Sequence, residues 1–231
     1  MTKKLIACYS RAGSNYFGNR IVDLAVGNTR VVAEKIQALA GGDLFRIEPV
    51  KPYPADYDET VERAKEELGR NARPELKEIV RNLDVYDTVF LGYPIWWGVM
   101  PMPVLTFLES ADFSGKTIVP FCTHEGSGFG MSERYIRQSC PKAKILSGLA
   151  IRGGKRDQAD AEISKWLKSL NLLPENQGLL NRSAAVLTEK PARSDPCGYK
   201  SSRKFFSSAT SSSAISFHQC RLGPVVPSCQ R

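Results

Sequence analysis

Residues 85–98 read VYDTVFLGYPIWWG, and this stretch decides the fold class. Its first eight residues are mostly branched or aromatic, and the run is short enough for a buried strand. A loop with two adjacent tryptophans, Trp96 and Trp97, follows at once. We therefore predict a strand over 85–92 with a functional loop directly after it.

The same arrangement recurs along the chain, because short apolar runs alternate with amphipathic stretches. Strands are predicted at 4–9, 43–48, 85–92, 117–123 and 144–151, and helices within 32–40, 57–68, 104–108, 133–140 and 163–170. Five strands alternating with five helices predict an α/β fold with a doubly wound, five-stranded parallel sheet. Ligands of such sheets bind at the carboxyl ends of the strands, so the chemistry is sought in the loops that follow them.

Charge and composition divide the chain after Pro174. The formal charge is +8, but residues 175–231 hold eight Lys or Arg and three Asp or Glu, so residues 1–174 carry only +3. We predict no nucleic-acid partner for so mildly basic a body. The tail has eleven serines and no sustained apolar period. Its composition favours a disordered extension, and a read-through or frameshifted chain end would look the same.

Two further features of the sequence bear on location. No run of about eighteen apolar residues exists, so we predict no insertion into a membrane. The uninterrupted apolar stretch before Cys8 is three residues long, whereas an export signal needs about seven to fifteen. We expect a cytoplasmic protein in which Cys8, Cys122 and Cys140 are free thiols.

The loop after the first predicted strand carries groups that suit an anion. It reads Ser10-Arg11-Ala12-Gly13, and the next helix opens with Gly27-Asn28-Thr29. Free backbone N–H groups at a helix amino terminus, the helix dipole and side-chain donors together favour a phosphate monoester. For Asn28 and Thr29 alone, ordinary capping of the helix is the alternative.

The loop after the third predicted strand is aromatic. It reads Gly92-Tyr93-Pro94-Ile95-Trp96-Trp97-Gly98, and its adjacent tryptophans point in different directions. Exposed aromatic area of this size favours a planar ligand stacked on Trp97. The alternative is that one or both rings pack beneath the loop.

The loop after the fourth predicted strand is rich in glycine. It reads Thr123-His124-Glu125-Gly126-Ser127-Gly128-Phe129-Gly130, so its backbone can approach the edge of a ligand closely. The spacing GxGxG differs from the dinucleotide fingerprint GxGxxG, and Ser127 lacks the flanking glycines of a hydrolase nucleophile elbow. His124 is more typical of a structural or solvent-facing side chain than of a catalyst. We assign no catalytic residue and no metal ligand.

Taken together, the three loops resemble those of the flavodoxin-like family, in a variant with a longer first loop. The resemblance covers about residues 3–172. It implies the strand order 2-1-3-4-5 and a bound flavin mononucleotide (FMN). Two departures are visible, because Ala12 replaces a hydroxyl of the compact family loop S-x-T-G-N-T and fourteen residues separate Ala12 from Gly27. Side chains of this insert, such as Tyr16, Phe17 or Arg20, are candidates to cover the site.

The resemblance also implies a role for each loop. The first loop would hold the phosphate, and the other two loops would flank the isoalloxazine ring of the flavin. The implied cofactor-binding residues are Ser10, Arg11, Asn28 and Thr29 for the phosphate, Pro94, Ile95, Trp96, Trp97 and Gly98 beside the ring, and Thr123, Gly126, Ser127 and Gly128 at its other edge. A peptide near Gly98 could rotate so that its carbonyl accepts a hydrogen bond from N5–H of a reduced flavin, since glycine tolerates either conformation.

Two functions remain open at this stage. The chain is either an electron carrier that docks a redox partner protein, or an oxidoreductase that takes hydride from NAD(P)H and reduces a quinone or another small acceptor. Carriers of the family tend to be acidic around the flavin, and the body charge of +3 lacks that bias. A phosphoacceptor receiver domain is disfavoured, because the aspartates that it needs are replaced by Gly92-Tyr93-Pro94 and Tyr9-Ser10-Arg11.

Overall fold

The computed structural model describes residues 3–174. The predicted tail, 175–231, lies outside the described residues, and the predicted domain boundary after Pro174 coincides with their end. The strands of this part are β1 (Lys4–Cys8), β2 (Gly13–Phe17), β3 (Arg20–Leu24), β4 (Asp43–Arg46), β5 (Thr88–Pro94), β6 (Thr117–His124), β7 (Lys144–Ile145) and β8 (Leu149–Arg152). Its helices are α1 (Asn28–Ala40), α2 (Tyr57–Gly69), α3 (Met102–Glu109), α4 (Ser132–Ser139) and α5 (Asp160–Ser169).

The main sheet is parallel and has the predicted doubly wound order. Its strands follow one another as β4, β1, β5 and β6, and β7 and β8 both pair with β6 on the far side. Ile6 of β1 lies between Leu44 of β4 and Phe90 of β5. If β7 and β8 are counted as one strand, this is the order 2-1-3-4-5, and the predicted fold class is confirmed.

Helices cover both faces of this sheet, because successive side chains of each strand point to opposite sides. Leu5 and Ala7 join a core cluster that contains residues of α3 and α4, whereas Ile6 and Cys8 join one that contains residues of α1 and α5. Burying a side chain such as Ile6 contributes about 1.5–3 kcal/mol. Because these strands are parallel, their carboxyl ends lie along one edge of the sheet.

The insert of the first loop forms an antiparallel hairpin from β2 and β3, which the sequence analysis did not predict. Gly18 and Asn19 make its two-residue turn, with φ of 58° and 71°. Both central residues of a type I′ turn need positive φ, and glycine and asparagine adopt it most readily. The dipeptide Gly18-Asn19 was therefore the available signal for this hairpin.

The fifth predicted strand, 144–151, is broken into β7 and β8. Between them lies Gly148, where an added Cβ would come within 2.4 Å of the Phe129 ring. The lack of a side chain at Gly148 thus leaves room for the Phe129 ring of the glycine-rich loop after β6.

The three cysteines among residues 3–174 are buried free thiols, as predicted. Cys8 and Cys122 belong to different core clusters, and burial raises the pKa of each to about 12. At neutral pH they are therefore protonated core side chains. No helix in residues 3–174 is long and apolar enough to span a membrane.

Candidate functional site

The amino terminus of α1 is built against the end of β1. Ser10 lies just beyond β1, and its Oγ accepts a hydrogen bond from the Arg30 N–H at 3.1 Å. Gly27 precedes the helix, and an added Cβ there would lie 2.3 Å from the Arg11 carbonyl oxygen. Only glycine therefore allows this close approach. The first turn has no acidic residue, so the positive end of the helix dipole is not neutralised within it.

Thr123, at the end of β6, joins the three predicted loops. Its Oγ1 lies 2.8 Å from Thr29 Oγ1 in the first turn of α1, and both side chains are buried. Its carbonyl oxygen accepts a hydrogen bond from the Ile95 N–H, 2.9 Å away, at the start of the loop after β5. Pro94 pairs with Thr123 in the sheet register. The loops after β1, β5 and β6 therefore meet at one residue.

Asn28 is held by a residue that the sequence analysis missed. Arg156, in the turn after β8, donates from Nη1 to Asn28 Oδ1 at 2.8 Å and to the Val26 carbonyl at 2.7 Å. Its guanidinium carbon lies 5.3 Å from the centre of the Phe17 ring. Arg156 follows the last strand of the sheet at the carboxyl edge, and this position was the available signal for it.

Arg11 lies elsewhere than its predicted role suggests. Its guanidinium donates to the carbonyl oxygens of Ser14, Pro54, Ala55 and Asp56, which places it at the start of α2. Burial lowers its pKa. Binding a phosphate with this side chain would require exchanging some of these contacts, so its predicted role stays a prediction.

The two tryptophans of the loop after β5 have different surroundings. Trp96 is half-buried and packs edge-on against Tyr9 and Tyr53, with ring centres 5.5 and 5.0 Å apart. Trp97 keeps 38% of its surface exposed, and its Nε1–H donates to the Val61 carbonyl of α2 at 3.0 Å. Trp96 therefore packs beneath the loop, which was the alternative to ligand stacking, whereas the ring of Trp97 remains partly exposed.

The turn that carries Trp97 and Gly98 is tight. Trp96 and Val99 exchange two backbone hydrogen bonds, of 2.8 and 3.1 Å. Trp97 and Gly98 between them have φ of 53° and 77°. A bulky residue in the left-handed region is strained, and such strain concentrates at ligand sites and switch regions.

His124 shapes the glycine-rich loop after β6. Its Nδ1 accepts from the N–H groups of Gly126 and Gly128, at 2.9 and 3.1 Å. Nδ1 must be unprotonated to accept them, and burial, with a smaller contribution from Arg152, lowers the pKa of the imidazole. The structure thus gives His124 a structural role. Ser127 lies between the two glycines and is exposed.

The loops after β5 and β6 also touch each other. The Gly98 carbonyl accepts from the Met131 N–H at 2.8 Å. An added Cβ at Gly130 would lie 2.1 Å from the same oxygen. The turn that presents Trp97 is therefore held by the far end of the glycine-rich loop.

The hairpin crosses the carboxyl edge of the sheet. At its base, Gly13 lies near Ala55, just before α2. At its tip, Gly18 packs against Gly154, in the turn after β8. Because α2 follows one edge strand and Gly154 follows the other, the hairpin spans the row of strand ends. We call β2, β3 and their turn the roof hairpin.

Three buried side-chain atoms beside the roof hairpin have no hydrogen-bond partner among residues 3–174: both carboxylate oxygens of Glu125, and Nε of Arg156. The N–H groups of Gly18 and Gly154 face Glu125 and lower its pKa, but neither reaches hydrogen-bonding geometry. Burial outweighs these N–H groups and the Arg152 guanidinium, whose Nε lies 3.8 Å from Oε2, and raises the pKa of Glu125. Unpaired buried polar atoms are costly, so their concentration here fits a site that receives a polar ligand.

The site contains no candidate metal centre. No group of three or more His, Cys, Asp or Glu side chains within 3–174 is arranged to hold a metal ion. Its chemistry rests on backbone N–H groups, hydroxyls, an amide, a guanidinium and an aromatic ring.

Comparison with known proteins assigns the family. The flavodoxin family model matches residues 21–170. Two similar solved structures are proteins assigned as flavoproteins from Bacteroides eggerthii DSM 20697 and Bacteroides uniformis ATCC 8492. The first is 31% identical with a TM-score of 0.59, covering 73% of this chain and 98% of that one. The second is 28% identical with a TM-score of 0.58, covering 72% and 98%.

A third structure is a flavoprotein in complex with FMN from Lactobacillus acidophilus NCFM. It is 20% identical with a TM-score of 0.49, and the likeness covers 68% of this chain and 98% of that one. The comparison with curated proteins returns no match. The family match spans more than half of the chain and agrees with the 31% identical relative, so this chain belongs to the flavodoxin family.

Proposed function

We propose that this protein binds FMN non-covalently and transfers electrons through the flavin. The observation that carries the proposal is the meeting of three loops at Thr123. An anion-binding helix terminus, an exposed aromatic ring and a glycine-rich loop are all placed at the carboxyl edge of one parallel sheet. Family membership supports the same cofactor.

The phosphate would be held at the start of α1. Ser10 offers a hydroxyl there, Thr29 offers its backbone N–H, and Asn28 offers its amide nitrogen while its Oδ1 accepts from Arg156. The N–H groups of Asn28 and Thr29, in the first turn, have no intrahelical partners and would be available to an anion. Arg11 would contribute through its backbone unless its side chain leaves the start of α2.

The flavin ring would lie between the loops after β5 and β6. Trp97 supplies the exposed aromatic face, with Pro94, Ile95, Trp96 and Gly98 building the rest of its loop. Gly126, Ser127 and Gly128 would approach the other edge of the ring. His124 accepts from the N–H groups of Gly126 and Gly128 and so fixes the shape of this turn.

The flavin supplies the redox chemistry, while the chain positions it and sets its environment. The peptide in the turn at Trp97 and Gly98 would also influence the potentials of the flavin, by accepting a hydrogen bond from N5–H. The Gly98 side of this turn is open, since an added Cβ would meet nothing within 4 Å. We expect Gly98→Ala to shift at least one one-electron potential of bound FMN. Two unchanged potentials would contradict a role for this peptide at the flavin.

An NAD(P)H-dependent oxidoreductase that reduces a quinone or another small acceptor is the second candidate. The roof hairpin supports it, because the cross-strand partners Tyr16 and Ile21 are 41% and 53% exposed. Exposed apolar side chains of this kind suit an apolar acceptor better than a charged partner protein. The mild net charge of residues 1–174 points the same way.

The visible spectrum of the purified full-length protein tests the main proposal. We expect flavin absorption near unit stoichiometry, or its appearance when FMN is added to colourless protein. A colourless protein that takes up no added FMN would overturn the proposal. Steady-state oxidation of NADPH with a quinone then separates the candidates, since a carrier holds FMN without turnover.

A further inference from the structure

We infer that Arg156 is a specificity-determining residue that binds the phosphate of FMN. This inference rests on the proposed function and extends it to a residue outside the predicted set. Arg156 lies in the turn after β8, and its guanidinium reaches the first turn of α1 through Asn28. Its Nε is one of the three orphaned buried side-chain atoms among residues 3–174.

The orientation of the guanidinium is fixed by the site. Nη1 donates to the carbonyl of Val26 and to Oδ1 of Asn28, the residues on either side of Gly27. These two contacts bring a positive charge to the place where the helix dipole also favours an anion. They also turn the amide of Asn28, so that its nitrogen remains available as a donor. Arginine forks bind phosphate oxygens with paired N–H groups.

The surroundings of Arg156 leave its Nε without a hydrogen-bond acceptor among residues 3–174. Only 14% of the Arg156 side chain is exposed, and the Phe17 ring of the roof hairpin lies over it. Its nearest counter-charge is the Asp157 carboxylate, with Oδ1 3.6 Å from Nε, but that side chain is 73% exposed and water competes for it. A phosphate would satisfy the guanidinium in a setting where screening is weak.

Arg156 would therefore discriminate between FMN and riboflavin, which lacks the phosphate. Ser10, Asn28 and Thr29 offer only neutral donors, so a full positive charge adds most of the preference for a charged ligand. Removing this charge should weaken FMN binding and leave riboflavin binding nearly unchanged. A residue that merely supports the fold would weaken both ligands alike.

The experiment compares Arg156→Gln and Arg156→Lys with Lys155→Gln in the full-length chain. Lys155 is the adjacent cation and is exposed, so its variant controls for long-range charge. Dissociation constants for FMN and riboflavin are measured by quenching of flavin fluorescence. We expect Arg156→Gln to raise the constant for FMN about 10- to 100-fold, with Arg156→Lys intermediate and Lys155→Gln close to the native value.

The outcomes separate the inference from the proposed function. Equal loss of FMN and riboflavin binding in Arg156→Gln, or an unchanged preference for FMN, would overturn the inference while FMN binding by the native chain stands. A native chain that binds neither ligand overturns the proposed function itself. The ³¹P resonance of bound FMN gives an independent readout, which we expect Arg156→Lys to shift and Lys155→Gln to leave in place.

Discussion

The hydroxyl groups of Thr29 and Thr123 lie 2.8 Å apart at the buried junction of α1 and β6. The two residues are 94 positions apart in the chain, yet this contact connects the first turn of α1 with the end of β6, where the glycine-rich loop begins. Both side chains are at most 3% exposed. Neither hydroxyl can therefore replace its partner with bulk water.

The first prediction concerns this pair. Thr123→Val keeps the shape of the side chain but leaves the Thr29 hydroxyl without its partner, so we expect a loss of about 1–3 kcal/mol in the free energy of unfolding. The double variant Thr29→Val with Thr123→Val should lose less than the sum of the single variants. Urea unfolding of all four proteins measures the coupling. Strict additivity would show that the two hydroxyls do not interact.

The second prediction is a pH dependence from His124. Its pKa in the folded protein is below the ordinary value of 6.5, so the unfolded chain takes up this proton first as pH falls. The stability that neutral His124 contributes is present above about pH 6.5 and is lost as pH falls through the lowered pKa. Urea midpoints at pH 7 and pH 5 measure the loss.

His124→Asn is the matched control for this prediction. Asparagine Oδ1 can accept the same two N–H groups but does not titrate in this range. We expect the variant to fold with the same loop and to lose less stability than the native chain between pH 7 and pH 5. An identical pH dependence in the two proteins would contradict the role given to His124.

The third prediction concerns the carboxylate of Glu125, whose oxygens have no hydrogen-bond partner among residues 3–174 and whose Oε2 lies 3.8 Å from Arg152 Nε. Its pKa is raised by burial, so the stability contributed by the protonated form is present below the unfolded pKa and is lost as pH rises through the folded pKa. We therefore expect Glu125→Gln to be more stable than the native chain at pH 7, with the difference shrinking toward pH 4. Glu66→Gln, at a side chain that is 70% exposed, should change little. A destabilised Glu125→Gln at pH 7 would rule this account out.

The fourth prediction compares two glycines of the same loop. Gly128 and Gly130 have φ of 59° and 53°, so alanine at either costs about 1–2 kcal/mol of backbone strain. Only at Gly130 would the new Cβ meet the Gly98 carbonyl, whereas the Gly128 side is open. We expect Gly130→Ala to lose about 1–3 kcal/mol more than Gly128→Ala. Thermal unfolding of the apoproteins measures this difference, and equal losses would argue against the close contact of the two loops.

The fifth prediction concerns the tail. We expect truncation after Pro174 to leave the affinity for FMN unchanged, because every residue assigned to the site lies before it. Titration of the truncated and full-length chains with FMN makes the comparison. Loss of binding on truncation would move the domain boundary into residues 175–231.

The central sheet could be predicted because its strands are short, branched and separated by amphipathic helices. Each predicted strand lies within a few residues of an observed one. The start of α1 and the loop that begins after Pro94 both contact Thr123, near the end of β6. Local pattern suffices here, since a buried parallel strand must be apolar on both faces. The convergence follows from the topology, because neighbouring strand ends share one edge.

The contacts of individual side chains could not be predicted in the same way. Arg11 binds carbonyls more than 40 positions away, and Arg156 reaches Asn28 across 128 positions. Such partners depend on which loops the fold brings together, and no local period encodes them. The roof hairpin was missed because residues such as Ser14 and Asn15 hide its alternation. From the sequence, His124 is more typical of a structural or solvent-facing side chain than of a catalyst, but its two N–H partners lie in a turn that the sequence does not specify.

The broken last strand has a consequence for the behaviour of the protein in concentrated solution. An exposed sheet edge offers unpaired N–H and C=O groups to which another chain can add a strand. In the part of the chain described here, one edge is the four-residue β4, and the other is divided between the two-residue β7 and the four-residue β8. Neither edge gives a long, continuous template. The break between β7 and β8 therefore makes this edge of the sheet a poor template for pairing with another chain.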